Sequence, residues 1–327
     1  MRIIILTTGI SRIVAPLLSS EHKIVGIIEV APRNKKKQPI PYQLLWTITK
    51  IPHLMINGPI TLKQFSKSKQ VPYFYMDSTS DGDVKDWIKT KSPDLIVVYS
   101  ISLLLKRDIY SIPKHGTINV HSSFLPDYRG PNPDFWQYYD LEMTPGVTIH
   151  FLDDGEDTGD IICQQRTTVK LGLKSPARLD ALISQLGVKL LLKSIKQIKD
   201  KNIQRIKQDR QSTTVRARNI KLHEHKSIID FENWPIERIW NVMRGTELWL
   251  NCVDQPKGIY SGSRWIVEGY SKQNIDYDKN EAGNINKLKN RYFVSCKHGK
   301  IYVTKKFSLK NLLKHGKDKF LNSYKFN

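Results

Sequence analysis

Two polar side chains stand where hydrocarbon belongs. In the run GTINVH (116–121), Ile118 and Val120 read as core residues, yet Asn119 and His121 occupy the alternate positions. Side chains two apart on a strand project from the same side, so an amide donor and a titratable ring meet beside one point. An amide stabilises an oxyanion and an imidazole moves a proton, two tasks that acyl transfer needs at one carbon. The turn DDGEDTG (153–159) adds four acids, Asp153, Asp154, Glu156 and Asp157, any of which can accept a proton or orient the ring. Neither a cysteine nor an elbow-type serine accompanies the set, which points to acyl transfer without a covalent nucleophile. Each residue also has an ordinary use: a histidine at a strand end is usually a satisfied structural group, and acid-rich turns are usually just turns. The stretch SSFLPDYRGPNPDFW (122–136) tips the balance, because it is long, proline-braced and aromatic, as binding loops on rigid scaffolds are.

Such residues need a rigid frame. RIIILTT (2–8), KIVGIIEV (23–30), DLIVVYS (94–100) and GTINVH (116–121) are unbroken apolar runs of the kind found in strands covered on both faces. Between them, DGDVKDWIKTK (81–91) starts with acidic residues and sets Val84, Trp87 and Ile88 on one helical face. The order is βαβαβ, an open doubly wound α/β sheet whose ligand belongs beyond the carboxyl ends of the strands. Two further strands are expected at 146–152 and 160–165, then a helix over 175–200 with Ser175 as N-cap and Pro176 at its first position. The expected domains are 1–205 for the main unit, 206–226 for a polar linker, 227–306 for a small barrel-like domain of short strands, and 307–327 for a basic tail.

With 39% hydrophobic and 25% charged residues the chain is of ordinary globular composition. The start runs straight into strand and helix signals rather than a leader, and no stretch is long and apolar enough to span a bilayer, so a cytoplasmic protein without membrane insertion is expected. Cys163, Cys252 and Cys296 lack the paired spacing of a zinc site or disulfide framework, and no metal is expected. The first strand is followed by TTGISRIVAP, with one glycine, and no Walker-type run occurs; nicotinamide and P-loop chemistry are therefore disfavoured. A net charge of +21 favours polyanionic partners, although the lysines are scattered and lack the interleaved aromatics of a nucleic-acid platform.

The stretch INVHSSFLPDYRGPNP, followed by TPGVTIHFLDDGEDTGDIICQQ, resembles the formyltransferases that use 10-formyltetrahydrofolate. The family pattern joins Asn-x-His, Ser-Leu-Leu-Pro, Tyr-Arg-Gly, Gly-Val-Thr and Asp-x-Gly-x-Asp-x-Gly in that order. The resemblance covers about residues 1–200 and implies a Rossmann-like formyltransferase fold. RARNIKLHEHKSIIDFENWPIERIWNVMRG is similar to the segment opening the small barrel that methionyl-tRNA and some sugar formyltransferases carry. By resemblance, Asn119 stabilises the oxyanion, His121 is the general acid/base and Asp157 holds or relays the proton, with a formamide and tetrahydrofolate as products. The same resemblance places the folate against Ser102, Leu103, Leu104, Ser123, Leu125, Pro126, Asp153, Asp154, Gly155 and Glu156. Phe124 departs from the usual leucine and stays apolar.

Methionyl-tRNA enzymes usually carry Gly-Thr-Pro-x-Phe after the first strand and Ala-Ala-Pro after Tyr-Arg-Gly, whereas this chain has LTTGISRIVAPLL and Pro131, Asn132, Pro133. GPNPDFWQYYDLEM is similar instead to formyltransferases of surface-sugar synthesis. A nucleotide-linked amino-deoxysugar is the expected acceptor, touched by Tyr128, Arg129, Asn132 and Trp136, with Tyr138 and Tyr139 as further aromatic faces that serve a core equally well. The charge and the small barrel suit a tRNA acceptor, the alternative. A non-catalytic folate or nucleic-acid binding module is a third reading, against which the intact Asn119, His121 and Asp157 speak. Exposed aromatics in the second domain permit a homodimer.

Overall fold

The computed structural model describes residues 1–32, 61–77, 82–101, 103–209, 211–272, 281–308 and 311. Ser102 and most of the basic tail lie outside the described residues. The described chain groups into two compact units. The first comprises Met1–Pro133, Pro145–Thr167 and Leu179–Arg216; the second comprises Asp134–Thr144, Thr168–Arg178 and Ala217–Asn327.

The first unit is built on a seven-stranded sheet. Its strands are β1 (Arg2–Thr7), β2 (Lys23–Val30), β3 (Tyr73–Met76), β4 (Leu95–Tyr99), β5 (Thr117–His121), β6 (Gly146–Phe151) and β7 (Ile161–Arg166), in the order β3-β2-β1-β4-β5-β6-β7. The first five are parallel, and the order reverses between β1 and β4 as in a doubly wound sheet. β6 runs against β5 and β7 against β6, so the sheet is mixed. A reversal is what the short turn between β6 and β7 demands, since a parallel pair needs a longer crossover.

Alternation along the strands feeds two cores, one on each face. Ile3, Ile5, Val97, Ile118 and Val120 pack on one side with Leu182, Leu191 and Ile195, while Ile4, Leu6, Ile96 and Val98 pack on the other with Val84 and Ile88. Val84 and Ile88 come from the helix α3 (Gly82–Lys91), which follows α1 (Val14–Leu18) and α2 (Leu62–Ser68). The strand β3 carries no continuous aliphatic run; it is a four-residue, half-buried aromatic edge, YFYM, which hydrophobic patterning does not mark. After α4 (Arg107–Tyr110) and α5 (Pro133–Tyr139), the expected helix over 175–200 is divided into α6 (Ser175–Leu179), a π-helical stretch (Asp180–Gly187) and α7 (Val188–Lys199). Ser175 lies inside the first turn, and its hydroxyl donates to Asp134 Oδ2 at 2.5 Å instead of capping.

The second unit contains α8 (Ile236–Thr246), which buries Ile236, Ile239, Val242 and Met243, and a four-stranded antiparallel sheet. Its strands are β8 (Trp265–Lys272), β9 (Ile285–Leu288), β10 (Arg291–Cys296) and β11 (Gly299–Lys305), ordered β8-β11-β10-β9. Among the described residues no helix is long and apolar enough to cross a membrane, and no cluster of three metal-ligating side chains occurs. The three cysteines are free.

Candidate active site

Asn119 and His121 end β5, the last of the parallel strands, where a doubly wound sheet presents its ligand face. The antiparallel register sets Asn119 opposite His150 and His121 opposite Thr148. Across this pair lies the turn from β6 to β7. Gly159 lets the turn close, because a Cβ there would stand 2.0 Å from the Phe151 carbonyl oxygen. Asp157 adopts a left-handed backbone, φ +55°, and this points its carboxylate back at the strand ends.

Four groups converge on that carboxylate. The Gly130 N–H donates to Oδ2 at 2.9 Å, and Asn119 Nδ2 donates to Oδ1 at 3.3 Å. His121 Nδ1 lies 3.6 Å from Oδ2, and His150 Nε2 lies 3.5 Å from Oδ1. The Asp157 side chain is 15% exposed. Burial pushes its carboxyl upward, but the neighbouring imidazoles of His121 and His150 and the Gly130 N–H together outweigh burial and hold it well below the usual carboxylate range.

The partners of the imidazoles fix their hydrogens. His121 Nε2 lies 3.0 Å from the Tyr128 carbonyl, which can only accept, so Nε2 carries a hydrogen and Nδ1 is the atom that faces Asp157. His150 Nδ1 lies 2.8 Å from the Phe151 carbonyl and likewise carries a hydrogen. Its Nε2 is then free to accept from Asn119 Nδ2 at 3.2 Å. The Asn119 amide thus divides its two hydrogens between His150 and Asp157. Both contacts are at the long end of the range, so the amide can turn to another acceptor.

The structure therefore brings Asn119, His121 and Asp157 together and selects Asp157 from the four acids of the turn. The other three are committed elsewhere. Asp153 accepts from Gly155 N at 3.1 Å and Thr158 Oγ1 at 2.7 Å; Asp154 accepts from the Tyr110 hydroxyl at 2.6 Å; Glu156 is paired with both arms of Arg216 at 2.5 and 2.7 Å. Sequence reasoning missed His150, which is 1% exposed. Its signal was present in GVTIHF, where an imidazole interrupts a buried strand one position from the end.

Of the residues expected around the folate, Leu103 is half-buried and Leu104 is 61% exposed just past β4. The bond from Tyr110 to Asp154 ties the helix that follows these leucines to the acidic turn. Ser123 and Leu125 are buried: the Ser123 hydroxyl donates to the Asp127 carbonyl at 2.6 Å, and the Leu125 N–H donates to Thr148 Oγ1 at 3.1 Å, ahead of a cis bond to Pro126. They shape the loop that carries Tyr128 and Gly130. Of the residues expected around the acceptor, Tyr128 is buried, Asn132 is half-buried, and Arg129 donates to Gln208 Oε1 and the Asp209 carbonyl. Trp136 belongs to the second unit, where it is 7% exposed, gives its indole N–H to the Arg218 carbonyl at 2.8 Å and packs edge-on against Phe135 and Tyr139.

Comparison with known proteins places this geometry in context. A family model described as formyl transferase matches residues 1–195. The methionyl-tRNA formyltransferase of Alkaliphilus oremlandii (strain OhILAs) is 34% identical over 189 residues, 58% of this chain and 59% of that protein. That of Clostridium acetobutylicum is 29% identical over 247 residues, 75% of this chain and 76% of that protein. Among solved structures, WlaRD, a sugar 3N-formyltransferase crystallised in the presence of dTDP and 5-N-formyl-THF, aligns with a TM-score of 0.58 at 18% identity, over 94% of this chain and 99% of that one.

Proposed function

The chain belongs to the formyl transferase family, and on that premise we propose that it moves a formyl group from 10-formyltetrahydrofolate to a primary amine, with Asn119, His121 and Asp157 as the catalytic residues. The observation that carries this reading is the convergence of a neutral amide and two imidazoles on one partly buried carboxylate at the carboxyl end of the sheet. The residues around it fit a folate donor. Leu104 offers an open apolar face, and the exposed Asp154 carboxylate, tied to the same segment through Tyr110, offers polar acceptors. Leu103, Leu104 and Asp153 to Glu156 are the residues that would hold it, and the donor supplies an electrophilic one-carbon unit when bound.

The chain's own groups do the rest. Asn119 turns an amide hydrogen toward the oxygen on which negative charge collects. His121 takes at Nδ1 the proton released by the amine and returns it to the departing nitrogen, and Asp157 stabilises the intervening imidazolium. Burial of His121, 6% exposed, limits water at the ring.

The acceptor is a nucleotide-linked amino-deoxysugar of surface polysaccharide synthesis. Support comes from the Pro131-Asn132-Pro133 run after Tyr-Arg-Gly and from the absence of a Gly-Thr-Pro-x-Phe signature after β1. A second reading, tRNA, is favoured by the methionyl-tRNA formyltransferases among the relatives and by the net charge of +21. The test is incubation with 10-formyltetrahydrofolate and either dTDP- or UDP-linked amino sugars or charged initiator tRNA. Formylated sugar with inert tRNA is the expected result; formylated tRNA with inert sugars overturns the choice of acceptor. No tetrahydrofolate release with any amine would favour a binding module.

A further inference from the structure

Residues 206–226 were expected to form a linker, yet Ile206, Gln208, Thr213 and Thr214 bond to segments of the candidate site. Ile206 and Ile161 form a bridge, Thr214 Oγ1 accepts from the Tyr128 N–H at 2.7 Å, and Thr213 donates to Asp127 at 2.6 Å. At the centre of this strap is Gln208. Its Nε2 donates to the Asp157 carbonyl at 2.9 Å and the Gly159 carbonyl at 2.7 Å, while its Oε1 accepts from Arg129 Nε at 3.2 Å and Nη2 at 2.7 Å. A guanidinium can only donate and a backbone carbonyl can only accept, so the amide has one workable orientation and all four of its capacities are used.

Gln208 thereby joins the two segments that build the catalytic pair. One is the turn that holds Asp157 at φ +55°. The other is the Tyr128-Arg129-Gly130 loop, with φ +56° at Tyr128 and +123° at Gly130. That loop supplies the N–H bonded to Asp157 and the carbonyl bonded to His121. Neither segment is held in these left-handed conformations by regular structure, so cross-bonds must hold them. We propose that Gln208 is a positioning residue that sets the relation of Asp157 to His121 by clamping both backbone segments at once. This rests on the formyl-transfer reading for its kinetic readout, but the geometry it claims is measurable without turnover.

Gln208→Glu is the informative variant. It keeps the length and the partner for Arg129, and it turns a carboxylate oxygen instead of an NH₂ toward two carbonyls, which opens the turn side of the clamp. A displacement of about 1 Å at a reacting pair costs roughly 100-fold in rate. The expected result is a fall in kcat of about that size, with KM for 10-formyltetrahydrofolate changed less than about threefold. Lys199→Ala breaks an exposed ion pair with Glu21, outside both segments, and it should leave kcat in place. In parallel, ¹⁵N NMR records the chemical shifts of the His121 ring nitrogens at one pH in wild type and variant. Those shifts should differ between the two even if no amine is formylated, which separates this proposal from the assignment of function. A Gln208→Glu protein with wild-type kcat and unchanged His121 ring shifts overturns the proposal, as does a Lys199→Ala protein that loses as much kcat.

Discussion

Replacing Asp157 by asparagine keeps the shape of the side chain and removes its charge. His121 Nδ1 lies 3.6 Å from the carboxylate. At an effective dielectric near 20, a unit charge pair at that distance interacts by about 4–5 kcal/mol. The interaction is absent when the imidazole is neutral and present once it has taken a proton, so it acts on the transition state. About 4–5 kcal/mol corresponds to roughly 10³-fold in rate, inside the 10²–10⁴ range of general acid–base catalysis. The assay is release of tetrahydrofolate with the accepted amine in excess, comparing Asp157→Asn, His121→Ala and the double variant. Each single variant is expected to lose about 10³-fold in kcat, and the double variant little more, because the pair acts as one unit. If Asp157→Asn keeps more than a tenth of the wild-type kcat, or if the two losses multiply, His121 and Asp157 do not share a proton and the assignment fails.

Stability should follow the same carboxylate. The folded Asp157 carboxyl is held below its ordinary value of about 3.9, so its stabilisation is complete above about pH 4 and is lost as pH falls through the folded value; urea midpoints of wild type and Asp157→Asn should differ at pH 7 and converge in strong acid. His150→Leu leaves an Asn119 hydrogen without its acceptor and should lower stability by about 1–3 kcal/mol with a loss of kcat, and His150→Gln, which restores an acceptor, should recover part of both. Gly159→Ala forces a methyl to 2.0 Å from the Phe151 oxygen and should lower Tm by several degrees, read by calorimetry. Arg216→Ala breaks an ion pair whose side chains are 58% and 36% exposed, and should change stability by no more than about 1 kcal/mol in the same measurement.

Much of this protein is local in origin. The spacing of Asn119 and His121 set them on one side of a strand, because the period of a strand is two whatever its neighbours are. The unbroken runs of β1, β2, β4 and β5 required cover on both faces, and the acid-rich turn announced a sharp reversal. The strand β3 escaped notice because a short aromatic edge has no distinctive period. Three features arose only from contacts distant along the chain. His150 reaches Asn119 through the antiparallel register of β5 and β6. Asp157 stands out from its acidic neighbours through the Gly130 N–H, 27 residues away. Gln208 meets the turn from 51 residues away. Periodicity and turn chemistry are properties of a few adjacent residues, whereas register and cross-bonds exist only once separate segments have been brought side by side. That is why the residue types of the site were legible in order along the chain, and why their partners were decided by folding.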